Sequence, residues 1–120
     1  NVSSQLASFG KNLQDRNKLA YSTSKTALNM MTYQFAKEFT NTNSTIKINS
    51  VDPGNTLPLF EDTRMHSELD LGSAKTDMTG QNANFGPVEA AAEPIVHFAT
   101  LPSEGPSGQF FSPKKEQFPW

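Results

Sequence analysis

The sequence has no cysteine in 120 residues. That excludes a disulfide framework and a thiolate metal site. It has no apolar run long enough to span a bilayer. It also lacks an excess of either charge. Ten basic and twelve acidic residues leave a formal net charge of -2, with a sequence pI of about 5.6. Such a balance gives no argument for nucleic acid or for an anionic membrane surface as a partner. Histidine is scarce, with only His66 and His97. His66 stands beside Glu61, Asp62, Glu68 and Asp70. One histidine among scattered carboxylates reads as a solvated lid, so no metal is expected. His97 falls in a helical pattern and reads as structural. The start, Asn1-Val2-Ser3-Ser4, is neither basic nor a long apolar run, so it carries no signal-like pattern. A cysteine-free chain fits the cytoplasm, and that is the expected location, although many secreted proteins also lack cysteine. The length sets one domain with a small core. With no initiator Met and a start that reads as a strand end, the chain is expected to be a fragment of a longer protein.

What is present is concentrated in Tyr21-Ser22-Thr23-Ser24-Lys25. On a helix, Tyr21 and Lys25 share a face one turn apart, with Cβ atoms about 5–6 Å from each other. A free phenol titrates near ~10. A fixed ammonium one turn away favours phenolate, and such a pair can exchange a proton with a substrate oxygen. A hydroxyl from a nearby strand end, such as Ser4, can hold that oxygen. The alternative for the pair alone is an ordinary surface couple on a helix, and for Ser4 an ordinary loop serine, with Ser3 as its neighbour and rival.

Taken in order, Asn1–Ser4 is predicted as a strand end and Gln5–Leu19 as a polar loop with a short helical turn. From about Ala20 to Phe39, Ala27, Leu28, Met31, Phe35 and Phe39 recur at spacings of three and four, which predicts a long helix with that stripe inward or against another helix. Asn41–Ser44 is its polar stop. Ile46–Val51 reads as a short strand, broken by Asp52-Pro53-Gly54-Asn55. Thr56–Phe85 gives only a weak helical turn around Pro58–Leu69, with bends at Gly72, Gly80 and Gly86. Pro87 reads as the first residue of a second helix. Val88, Ala91, Ala92, Ile95, Val96 and Ala99 form its apolar face, and Pro94 inside it predicts a kink or restart. Gly108-Gln109-Phe110-Phe111 is the last strand, and the aromatic end Phe118-Pro119-Trp120 is expected to dock. Strand, helix, strand, helix, strand implies an α/β fold with a parallel sheet.

Asn-Val-Ser-Ser, then Tyr-x-x-x-Lys opening a long helix, then a strand ending in Val-Asp-Pro-Gly resembles the short-chain dehydrogenases/reductases. Ala99-Thr100-Leu101-Pro102 and Gly105-Pro106-Ser107-Gly108-Gln109-Phe110-Phe111 are similar to the end of the carbonyl-reductase-like members. Tyr-x-x-x-Lys alone is a weak motif, but four such elements in order are specific. The resemblance implies the C-terminal half of a Rossmann-type doubly wound parallel sheet, as one partial domain over residues 1–120. It also implies that the Gly-rich cofactor turn precedes residue 1, so the fragment alone is expected to be inactive.

By the same resemblance, the activity is NAD(P)-dependent transfer of a hydride to or from a carbonyl or alcohol, with NADP mildly preferred over NAD. Ser4 corresponds to the residue that bonds the substrate carbonyl and Tyr21 to the general acid. Lys25 corresponds to the residue that tunes the tyrosine and bonds the nicotinamide ribose. Tyr21, Lys25, Pro53, Gly54, Asn55 and Thr76 are the implied cofactor contacts. The partner is a small carbonyl or alcohol, with no nucleic acid and no membrane, and the long helix offers a surface for a homo-oligomer. A non-catalytic relative that senses cofactor or binds partners is the alternative. One departure stands out. Thr76-Asp77 comes too late after Gly54, and removing Thr56–Ser73 would restore the family spacing. Residues 56–73 are therefore expected to be an insertion, either a substrate lid or an unspliced segment. If the insertion is genuine, Thr56 is the rival of Thr76.

Overall fold

Hydrogen bonding between three separated segments builds the sheet. A computed structural model describes residues 1–11, 18–54 and 88–120. The expectations for Asn55, Thr76, the start of the second helix at Pro87, His66 and the segment 56–73 lie outside the described residues. Among the described residues, β1 (Ser50–Val51) runs parallel to β2 (Phe110–Phe111), which pairs antiparallel with β3 (Gln117–Phe118). Val2 adds a parallel bridge to Val51 on the other side of β1. The rungs are Val51 N to Asn1 O at 2.9 Å, Ser3 N to Val51 O at 2.8 Å and Asp52 N to Phe111 O at 2.9 Å.

β1 is shorter than the strand predicted over Ile46–Val51. Its sequence explains why. The Asn49 side chain takes over the pairing, accepting from Gln109 N at 3.1 Å and donating to Pro106 O at 2.8 Å. Pro106 has no N–H to give, so a regular ladder cannot extend there. The hairpin to β3 was not anticipated in the sequence. Ser112 Oγ builds it, accepting from Lys114 N and Glu116 N, both at 3.1 Å.

Helix α1 spans Leu19–Asn41. The polar stop beyond it is a Schellman-type end. Asn43 takes the left-handed conformation (φ 53°). Ser44 N reaches Phe39 O at 2.8 Å and Asn43 N reaches Thr40 O at 3.2 Å, satisfying carbonyls that a helix end leaves without partners. Helix α2 spans Val88–Ala99 and runs on through Pro94, so the helix does not restart there. Pro94 is fully buried instead, and its ring packs where a polar N–H would need a partner.

The helices cover opposite faces, because neighbouring residues of a strand point opposite ways. Phe111 stacks on Phe98 of α2 at 4.1 Å. Phe110, fully buried, meets Phe118 edge-on at 5.4 Å and stacks on Trp120 at 5.9 Å. Trp120 also meets Tyr33 of α1 edge-on at 6.2 Å. The aromatic end therefore docks, as expected.

Of the two places expected for the apolar stripe of α1, the inward one is not where it lies. Met31 is 52% exposed and Phe35 41%. The buried residues are Asn29, Thr32 and Ala36. Two features make a polar, small stripe the better fit. Ala36 lies directly over Gly108, where an added Cβ would sit 2.7 Å from the Ala36 Cβ. Thr32 Oγ1 accepts from Asn1 Nδ2 at 2.7 Å and from Ser50 Oγ at 2.9 Å. Close approach and full pairing thus replace apolar bulk.

Candidate active site

Two parallel strands end side by side, and their exits define the site. Val2 leads into Ser3 and Ser4, and β1 leads into Asp52, Pro53 and Gly54. In open α/β sheets such carboxyl ends are where ligands bind. Asp52 Oδ1 accepts from Gly54 N at 3.0 Å and tightens the second exit. Gly54 is left-handed (φ 71°), and an added Cβ there would overlap Pro113 Cγ and lie 2.6 Å from its Cβ. Only glycine fits this turn without displacement.

Ser4 starts the one-turn 3-10 helix Gln5–Ala7 and accepts from Leu6 N at 3.3 Å. The turn packs on α1, where Thr26 Oγ1 donates to Ala7 O at 3.2 Å. Tyr21 lies in the first turns of α1 and is 45% exposed. The Lys25 ammonium lies 5.7 Å from the Tyr21 ring centre and donates to Val2 O at 3.0 Å. An ammonium has three N–H groups, so further donors remain for a ligand. Tyr21 and Lys25 are thus brought together, and Lys25 joins α1 to the strand end that carries Ser4.

Ser3 and Ser4 are set apart by their surroundings. Ser3 is 2% exposed and its hydroxyl donates to Asn29 Oδ1 at 2.6 Å. Ser4 is only half-buried. Asn29 itself escaped the sequence reading. The signal was there, since it continues the Tyr21, Lys25 spacing by one more turn. A nicotinamide cofactor is matched by the donor set: one ammonium and hydroxyls suited to ribose and carbonyl oxygens, beside a turn that only glycine fits. Among the described residues, no cluster of three His, Cys, Asp or Glu could hold a metal. Among the described residues also, no helix is long and apolar enough to cross a membrane.

Comparisons with known proteins identify the family and the fold. The family model described as short chain dehydrogenase matches residues 1–70. A search of curated proteins finds no match. Among solved structures, the carbonyl reductase Sniffer of D. melanogaster is 25% identical with a TM-score of 0.67, covering 100% of this chain and 40% of its own. The NADPH-bound carbonyl reductase from chicken fatty liver is 22% identical with a TM-score of 0.65, covering 100% of this chain and 41% of its own. The chain therefore spans about two fifths of the length of the solved structures it matches.

Proposed function

The chain belongs to the short chain dehydrogenase family, and we propose that the protein carrying it is an NAD(P)-dependent oxidoreductase acting on a small carbonyl or alcohol. The observation that carries this reading is the Lys25 ammonium, which contacts the strand end at Val2 O and stands beside the Tyr21 ring. That contact ties the helix carrying Tyr21 and Lys25 to the strand end that leads into Ser4. In reduction, Ser4 donates a hydrogen bond to the substrate carbonyl oxygen. Tyr21 gives that oxygen its proton. Lys25 supplies positive charge beside the phenol and holds the ribose hydroxyls. Pro53 and Gly54 contact the cofactor in this reading, and Asn55 and Thr76, which lie outside the described residues, are assigned to it by the family pattern alone. When bound, the nicotinamide supplies the hydride to the carbonyl carbon. NADPH is mildly preferred over NADH as the donor in this reading, on the carbonyl-reductase-like end of the sequence.

Three further parts belong to the reading. Residues 1–120 form part of a larger Rossmann-type domain and are inactive alone. Residues 56–73 are an insertion, a substrate lid or an unspliced segment, and transcript reads lacking the stretch would remove the lid. The exposed Met31 and Phe35 on α1 support a homo-oligomer through that helix, in a cytoplasmic protein.

The test is Tyr21→Phe in the protein as its gene encodes it, assayed with NADPH and nitrobenzaldehyde. Turnover falls by at least the 10²–10⁴-fold typical of a lost general acid, while cofactor affinity stays within a few-fold. Near-normal turnover of the variant, or no turnover of the parent across a panel of carbonyls, refutes the reading.

A further inference from the structure

Asn29 is 3% exposed and lies one helical turn beyond Lys25 on α1. Its Oδ1 accepts from Ser3 Oγ at 2.6 Å in a buried bond. Its Nδ2 is buried as well and meets no acceptor among the described residues. Leaving an amide donor in that state costs on the order of 1–3 kcal/mol. An alanine at this helical position would avoid that cost and favour the helix more. The asparagine is therefore a poor choice for helix stability and a good one for holding Ser3.

The bond has a definite place in the site. Ser3 is already tied to β1 through its backbone, with Ser3 N on Val51 O at 2.8 Å. Its side chain then ties the same residue to α1. The next residue, Ser4, points away to begin the 3-10 turn, and Tyr21 stands two turns before Asn29 on α1. The backbone rung fixes the strand end against the sheet. The exposed Lys25–Val2 bond, at 3.0 Å, joins it to the helix from the solvent side. The Ser3–Asn29 bond joins it to the helix from the buried side, between the Asn1–Thr32 bond before it and the Thr26–Ala7 bond after it. We propose that Asn29 is a positioning residue, holding Ser3 against α1 and so fixing the Ser4 hydroxyl relative to Tyr21 and Lys25. This rests on the proposed oxidoreductase reading for its catalytic consequence, though not for the tie itself.

The test is a double-mutant cycle, Ser3→Ala, Asn29→Ala and both, in the protein as its gene encodes it. Urea unfolding reads the tie and steady-state kinetics with NADPH and nitrobenzaldehyde read its consequence. The two single variants lose stability by amounts that do not add, because each breaks the same bond. Asn29→Ala lowers kcat by roughly 10–100-fold, the scale of a misplacement of about 1 Å in an active site, with the KM for NADPH within about threefold. The double variant is no slower than either single variant. Additive stability losses overturn the tie. Coupled losses with kcat within about twofold of the parent overturn its role in positioning. A failure of the functional reading looks different: Tyr21→Phe then turns over like the parent, or the parent does not turn over, while the Ser3–Asn29 coupling persists.

Discussion

Replacing Gly54 by alanine should be among the most damaging single-methyl additions in the described structure. Two independent costs act at this position. The backbone is left-handed at φ 71°, which costs an L-residue roughly 1–2 kcal/mol. The new methyl also overlaps Pro113 Cγ and comes within 2.6 Å of its Cβ. Pro113 is a stiff ring in the β2–β3 turn, which four bonds to Ser112 hold in shape, so it does not swing aside as a flexible side chain would. Forcing it away costs about 1–3 kcal/mol, as for other overpacked sites. Together the loss is about 2–5 kcal/mol, set against the ~5–15 kcal/mol that stabilises a typical domain. Urea unfolding followed by the fluorescence of Trp120, the single tryptophan, measures it, because that ring stacks on Phe110 in the core. Adding Pro113→Ala removes Cγ but keeps Cβ, so the double variant should regain part of the packing loss and none of the backbone strain. A loss below about 1 kcal/mol for Gly54→Ala, or no recovery on adding Pro113→Ala, would refute the reasoning.

Two other outcomes follow from the core. Thr32→Val should cost about 1–3 kcal/mol in the same unfolding experiment, because it removes the acceptor of the fully buried Ser50 Oγ, while the exposed Asn1 can turn its amide to water. Trp120→Ala should release the tail, raising amide exchange at Gly10, whose N–H donates to Trp120 O at 3.1 Å, while the Ser50–Phe110 and Val51–Phe111 pairing keeps its protection. Unchanged exchange at Gly10 would mean that Pro119 O, the acceptor of Ser8 Oγ at 2.6 Å, holds the tail unaided.

Much of the fold was legible in local chemistry. The long helix, its polar stop, a strand before Asp52-Pro53-Gly54 and a strand at Phe110–Phe111 all stand where propensity and turn residues put them. The α/β class and the family followed from the order of those elements together with Tyr21 and Lys25. What was not legible depended on partners distant in sequence. β1 is cut short by bonds between Asn49 and a segment nearly sixty residues away, and nothing near Ile46 announces them. β3 forms because a serine turn brings Gln117–Phe118 back onto β2, whereas the aromatics of the tail predicted only that it would dock.

The helix α1 shows why the site was harder to read than the fold. Periodicity weighs hydrophobicity, and it therefore marked Met31 and Phe35 as a stripe turned inward or against another helix. The sheet beneath offers something else at that crossing: a glycine that permits close approach and hydroxyls that need partners. The inward stripe is accordingly Asn29, Thr32 and Ala36, in line with Lys25 one turn earlier. Polar residues at helical spacing after a Tyr-x-x-x-Lys pair are thus the better guide to which face meets the strand ends. The same geometry leaves the Met31 and Phe35 stripe outward, large and apolar on a helix whose other face is already seated. A helix seated by its polar stripe keeps its apolar one for a neighbour, and Phe35, two heptads after Tyr21 on α1, places the proposed oligomer contact further along the helix from the proposed catalytic pair, not opposite to it. Substituting Met31 and Phe35 by polar residues should therefore change association without moving Tyr21 or Lys25.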